Sequence, residues 1–166
     1  MFRPMRRFRQ ELSQEMCSSI LKDRSWGVLA VAGDDGYPYA VPLCYAYSDG
    51  KIYFHCARSG HKNDALKREP KASFCVVDSD EIVPGEYTSH FRSVIVFGRV
   101  HEVDDDKVRR EVIERIALKF HPHDTAEHRN AAIDKQFRPM CIMEMEIDHM
   151  SGKEAIELVN KRLRGE

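Results

Sequence analysis

The run Tyr53-Phe54-His55-Cys56-Ala57-Arg58-Ser59-Gly60-His61-Lys62 gathers residue types that can do chemistry. An apolar strand enters a short loop of small, polar and basic residues, and a helical segment follows. Backbone N–H groups, the Ser59 hydroxyl and the basic side chains of His61 and Lys62 then collect where an anion, best a phosphate, would sit. Cations at the start of a helix oppose its dipole, a local cost that a bound anion would offset. His55 ends the apolar part of the strand. An isolated histidine is more often a core group bonded to a carbonyl, but the adjacent loop makes it a candidate for facing the reactive end of whatever carries the phosphate.

Other candidates are weaker. Arg92, Ser93 and Val94 open a long apolar strand and gain meaning only if a second subunit completes a site. His121 and His123 flank Pro122 with His128 nearby, in a polar connection rather than on a fixed face, so metal binding is not expected there. Glu144, Glu146 and Asp148 alternate on one strand face without an identifiable acid–base partner. GxGxxG and GxxxxGK[ST] do not occur, which argues against Rossmann and P-loop sites. The five cysteines, Cys17, Cys44, Cys56, Cys75 and Cys141, are scattered and no CxxC pair exists, so their spacing supports neither zinc nor a redox disulfide. They read as reduced, core-packed thiols.

Several elements must position these groups. Ser13 can cap a helix whose apolar face is Met16, Ile20 and Leu21. Trp26–Val31 reads as a strand, Gly33–Gly36 as a turn, and Tyr37–Tyr47 as a strand that Pro38 and Pro42 force to an edge, to a bulge or beside something other than a strand. Ser48-Asp49-Gly50 turns tightly into the strand Lys51–Ala57. His61–Arg68 is a short helix that Glu69-Pro70 stops, and Ala72–Val77 a strand. Ser79–Ser89 reads as a long polar connection and Arg92–Val103 as a β-branched strand. Asp104-Asp105-Asp106 caps a helix with apolar positions Val108, Val112, Ile113, Ile116, Ala117 and Phe120. A second helix at Ala126–Gln136, a strand at Met140–Ile147 and an amphipathic helix at Lys153–Leu163 complete the chain. Six strands with helices set aside predict a mainly β (α+β) fold, a six-stranded antiparallel barrel with peripheral helices.

The 166 residues are expected to form one domain, 1–166. With 26 Lys and Arg against 27 Asp and Glu, no nucleic-acid footprint is expected. Arg3, Arg6, Arg7 and Arg9 form a basic arm that Glu11 and Glu15 soon balance. No membrane-length apolar run and no signal-peptide core is present, so a cytoplasmic protein without membrane contact is expected.

Four segments in order resemble the nitroimidazole-resistance (Nim) proteins, of the pyridoxamine 5′-phosphate oxidase-related flavin-binding split barrels. They are Gly36–Leu43, Tyr53–Lys62, Phe91–Gly98 and Ser151–Ala155, and the likeness runs from the N-terminal Met-Phe-Arg to about Val159. The resemblance implies a split β-barrel homodimer with two FMN sites at the subunit interface. It lays the backbone of Val41, Pro42 and Leu43 along the flavin ring and His55 beside it, with Cys56 and Ala57 in the same strand. Ser59, Gly60, His61 and Lys62 match the phosphate loop. Arg92, Ser93 and Val94 match the strand reaching the cofactor from the partner subunit. Two departures stand out: the wider family often has arginine at the His61 position, and its oxidases have glutamine at the Ser93 position. The implied activity is reduction of nitroimidazole-type or similar small aromatic acceptors, with His55 as the catalytic residue. The alternative is a non-catalytic module binding FMN or haem; a deazaflavin or other dinucleotide is a further rival for the groove.

Overall fold

A computed structural model describes residues 1–165; Glu166, the last residue of the expected domain, lies outside that range. Among the described residues, seven strands and five α-helices are formed. The strands are β1 (Trp26–Ala32), β2 (Pro38–Cys44), β3 (Ala46–Ser48), β4 (Lys51–Ala57), β5 (Lys71–Val83), β6 (Thr88–Glu102) and β7 (Met140–Glu154). The helices are α1 (Gln14–Asp23), α2 (His61–Arg68), α3 (Asp106–Phe120), α4 (Ala126–Gln136) and α5 (Ile156–Arg164). All strand pairings are antiparallel, in the order β2-β1-β5-β6-β7-β4-β3.

That order has a geometric consequence. The two edge strands, β2 and β3, are consecutive in the chain and separated only by Tyr45. A flat sheet would hold its edges far apart, so this one must curl until they meet. The Tyr45 side chain is fully buried at the bend, edge-on to Phe74 at 5.0 Å, and its N–H donates to the Ser25 carbonyl. The concave face is filled by Leu29, Val31, Phe54, Phe74, Val96 and Met145, and by Cys17 and Leu21 of α1. A second apolar layer lies on the convex face, where Tyr53 and Ile142 meet Val112, Ile113 and Ile116 of α3 and Ile133 of α4.

Local chemistry explains most boundaries. The Ser13 hydroxyl accepts a hydrogen bond from the Met16 N–H at 3.3 Å, capping α1. Ser13→Ala is expected to lower stability by about 1 kcal/mol, measured by urea unfolding with an unchanged m-value. Asp49 and Gly50 both have positive φ, the pattern of a two-residue type I′ hairpin between β3 and β4. Asp105 caps α3 through the N–H groups of Lys107 and Val108.

Four expectations need correction. The predicted Tyr37–Tyr47 strand breaks at Tyr45 as the chain changes edges, so the sheet has seven strands rather than six and no ladder closes it. The polar stretch Ser79–Ser89 is largely a hairpin arm: Asp80 to Val83 pair with Phe91 to Thr88 beyond a bulge at Asp78, around a turn at Pro84–Glu86. Its alternation is polar because most of this arm meets solvent; His90 is its one buried side chain. β7 continues past Ile147 to Glu154, with a bulge opposite Phe97 and Gly98 at Asp148. Ser151 to Glu154 are therefore strand, and the last helix starts at Ile156 rather than Lys153.

Candidate functional site

Strand β4 divides its side chains between the two layers. Ile52, Phe54 and Cys56 turn to the concave core, and Tyr53, His55 and Ala57 turn toward α3 and α4. Between β4 and these helices lies an open cavity of about 790 Å³. His55 and Ala57 form part of its wall, faced by Ile113, Ile116 and Phe120 of α3 and by Arg129 and Ile133 of α4. His55 keeps solvent contact through the open side. The protein packed around it, followed by the charge of Lys62, lowers its pKa from the ordinary value, so the imidazole is neutral at pH 7. Arg129 donates to the Asp124 carbonyl at 3.2 Å while its Nε has no protein partner, leaving donor capacity beside the cavity.

Past Ala57 the chain enters the loop and α2. Gly60, at φ 129°, adopts a backbone that L side chains rarely take, and an added Cβ would meet only open space. Its carbonyl accepts from the N–H groups of Asn63 and Asp64, yet no side chain caps the first turn of α2. The cations nearby differ in their engagements. Arg58 pairs with Glu102 at 3.3 Å and donates to the Arg138 carbonyl. The His61 ring stacks on Tyr39 at 4.1 Å and lies 3.4 Å from Asp34, which Arg68 also contacts. Lys62 has no carboxylate partner among the described residues. A helix start without a side-chain cap, beside an ammonium that no carboxylate engages, is an arrangement suited to an anion.

The Tyr39–His61 stack also brings β2 beside this loop. β2 is a sheet edge, one of the positions its two prolines allow, so one backbone edge of Val41, Pro42 and Leu43 has no strand alongside. Val41 and Leu43 turn inward, and Pro42 sits opposite Val28. Arg92, Ser93 and Val94 are placed differently. β7 separates their strand from β4, so one chain does not bring them to His55. The Val94 side chain is fully buried in the core. Arg92 clasps the buried Glu154 at 3.0 and 3.2 Å and reaches Asp78 at 3.4 Å.

Of the histidines at 121–128, His121 and His128 both lie against Asp124. Among the described residues one triad, His101, Glu144 and Glu146, has metal-ligand proximity. The Lys51 ammonium already pairs with two of its members, 2.5 Å from Glu144 and 3.8 Å from Glu146. Burial raises the Glu144 pKa, but the Lys51 and Tyr53 hydrogen bonds and the Lys51 and His101 charges outweigh it and hold the carboxyl below its usual range. Sequence reasoning missed the contribution of α3 and α4 to the cavity. The apolar spacing of α3 was visible, but not which strand it would face.

Residues 13–154 match the model of the pyridoxamine 5′-phosphate oxidase family. The chain belongs to this family. Solved structures with the same fold as this family member include a candidate 5-nitroimidazole antibiotic resistance protein from Bacteroides thetaiotaomicron, with TM-score 0.72, 19% identity, 87% of this chain and 86% of that one covered. An FAD-binding protein from Mesorhizobium loti is 29% identical, with TM-score 0.64 over 87% of this chain and 96% of that one. An FAD- and haem-binding protein from Mycobacterium smegmatis has TM-score 0.73 and 20% identity over 88% and 73% of the two chains. A Rhizobium meliloti protein of uncharacterised activity is 31% identical over 98 residues, 58% of this chain; the match likewise spans 58% of that relative's length. No described helix is long and apolar enough to cross a membrane.

Proposed function

We propose that this protein binds FMN as a homodimer and reduces small aromatic acceptors of the nitroimidazole type. The observation that carries the reading is the start of α2, which has no side-chain cap and whose Lys62 no carboxylate engages, at one end of a strand whose His55 opens onto a large apolar cavity. The residues fit the cofactor in three respects. The loop 58–62 offers free N–H groups, Ser59, His61 and Lys62 to a phosphate. The open backbone edge of Val41–Leu43 can hydrogen-bond a flavin ring. The open space at Gly60 admits close approach.

Bound FMN would supply the electrons; the protein's own part is positioning. The apolar wall of Ile113, Ile116 and Phe120 excludes water from a planar acceptor. Arg129 has donors left for an acceptor oxygen such as that of a nitro group. Neutral His55 donates its N–H to the acceptor as negative charge develops. The dimer reading draws support from the convex face of β1, β5 and β6, where Trp26, Val28, Val77, Ile95 and Phe97 leave apolar surface exposed. In such a dimer the partner's β6 would supply Ser93 and the Val94 backbone to the cofactor.

The test is the visible spectrum of the purified protein, titrated with FMN, followed by release of the chromophore on heating. A two-band flavin spectrum with FMN released supports the reading; a protein that takes up no FMN overturns it. A second reading, haem, has one specific observation in its favour: His55 and His121 both line the cavity. It predicts a Soret band that disappears when one of these histidines is lost.

His55→Ala is expected to retain the flavin spectrum while turnover with nitro acceptors falls about 10²–10⁴-fold, the usual range for a lost proton donor. In the wild type, any rate component carried by the imidazolium should decline as pH rises through a pKa below 6.5, the ordinary histidine value. Steady-state kinetics across pH 5 to 8 check both.

A further inference from the structure

The five thiols are far apart in sequence, yet the register of β4 against β7 sets Cys56 directly opposite Cys141. Both side chains turn to the concave core: Cys141 is fully buried and Cys56 partly accessible. Opposed residues of an antiparallel pair have Cα atoms about 4.5 or 5.5 Å apart. Both separations lie within the roughly 4.4–6.8 Å span of disulfides, so no backbone movement is needed to join them. The surroundings distinguish the two sulfurs. Cys56 Sγ donates to Asn63 Oδ1 at 3.8 Å, and Asn63 is itself buried and held by its bond to the Ala57 carbonyl. The Cys141 thiol, then the Lys62 charge and the Asn63 and Lys62 hydrogen bonds, lower the Cys56 pKa against the opposing effect of burial. Cys141 moves the other way: the Cys56 thiolate, burial and the nearby Glu102 raise it. Burial raises Cys17, Cys44 and Cys75 as well. One thiol of the five is thus both nucleophilic and accessible, and a second stands beside it.

We propose that Cys56 and Cys141 form a reversible intramolecular disulfide, with Cys56 meeting hydrogen peroxide and Cys141 resolving the product. In the first step the Cys56 thiolate attacks one peroxide oxygen, the O–O bond breaks, and hydroxide leaves as water after taking up a proton. The resulting sulfenic acid is attacked by Cys141 sulfur. The S–S bond forms, the S–O bond breaks, and the Cys141 proton departs with the hydroxide as a second water. Peroxide is reduced by two electrons and the two thiols are oxidised. The bridge ties the end of β4 to the start of β7 beneath the loop 58–62 and removes the thiolate that Lys62 faces. This assignment stands on the fold alone and does not require that FMN be bound.

The fully reduced protein is treated with a small molar excess of hydrogen peroxide, quenched, alkylated under denaturing conditions and mapped by non-reducing mass spectrometry. Two of the five thiols should be lost, the Cys56 and Cys141 peptides should appear linked, and dithiothreitol should restore both. Cys141→Ser should leave a Cys56 sulfenic acid that dimedone captures. Cys44→Ser and Cys75→Ser should leave the linkage unchanged. The wild-type map is decisive even if the buried Cys141 variant does not fold. Full alkylation of Cys56 and Cys141 after peroxide, linkage of Cys56 to another thiol, or linkage only between chains would each overturn the assignment.

Discussion

Replacing His61 and Lys62 together by alanine is expected to weaken FMN binding by about a hundredfold or more. Hydrogen bonds from charged donors contribute roughly 1.5–3 kcal/mol each, and every 1.4 kcal/mol is about tenfold in affinity. The two residues are unequal. Lys62 has no carboxylate to release, whereas His61 is stacked on Tyr39 and sits near Asp34, so the single variant Lys62→Ala should account for most of the loss. His61→Arg, restoring the side chain common in the wider family, should tighten binding. Neither position is in the core, so the apo double variant should unfold at nearly the wild-type denaturant concentration. Fluorescence titration of FMN measures the affinity. Full retention in the double variant would remove the phosphate from this loop.

Arg92→Met separates two roles for one residue. Family likeness sends Arg92 toward the cofactor; the fold binds it to Glu154, which is fully buried and receives Arg92 on one oxygen and Arg162 on the other. Breaking a buried ion pair by removing one member costs about 3–5 kcal/mol because a charge is left without its partner. Arg162 remains, so the lower end, about 3 kcal/mol, is expected. For a chain of this size that corresponds to a fall in Tm of roughly 6–12 °C. Below that temperature the variant should bind FMN much as the wild type does. Unchanged Tm with weakened FMN binding would assign Arg92 to the cofactor instead. Calorimetry and titration on the same preparation separate the outcomes.

Much of the local architecture was legible because it depends on neighbours in sequence. Ser13 before an apolar periodicity, Asp105 before α3, Asp49-Gly50 between alternating runs and Pro70 after α2 each act within a few residues. The phosphate-like loop could be located for the same reason: strand, small residues and basic helix start are contiguous. What escaped the sequence involved long-range pairing. The hairpin arm at residues 80–91 looks like a polar connection because the only side chain it buries is the polar His90, and apolar burial is what hydrophobic alternation reports. The break at Tyr45 looks like continuous strand because its aromatic side chain suits a strand equally well. Only the requirement to cross from one sheet edge to the other distinguishes it.

The sequence by itself determined that five helices form, the turns at Gly33–Gly36 and Ser48–Gly50, the irregular pairing of the proline-bearing strand and the place of a basic loop after His55. Each follows from backbone restriction or short-range hydrogen bonding. Tertiary structure alone decided which side chains share a space. It set α3 and α4 over His55 to make the cavity, tied Arg92 to Glu154, put Lys51 against Glu144 and Glu146, and placed Cys56 across from Cys141. These outcomes depend on strand register and on how the sheet curls. A one-residue shift in register would send every side chain to the other face, and no local pattern records which register wins.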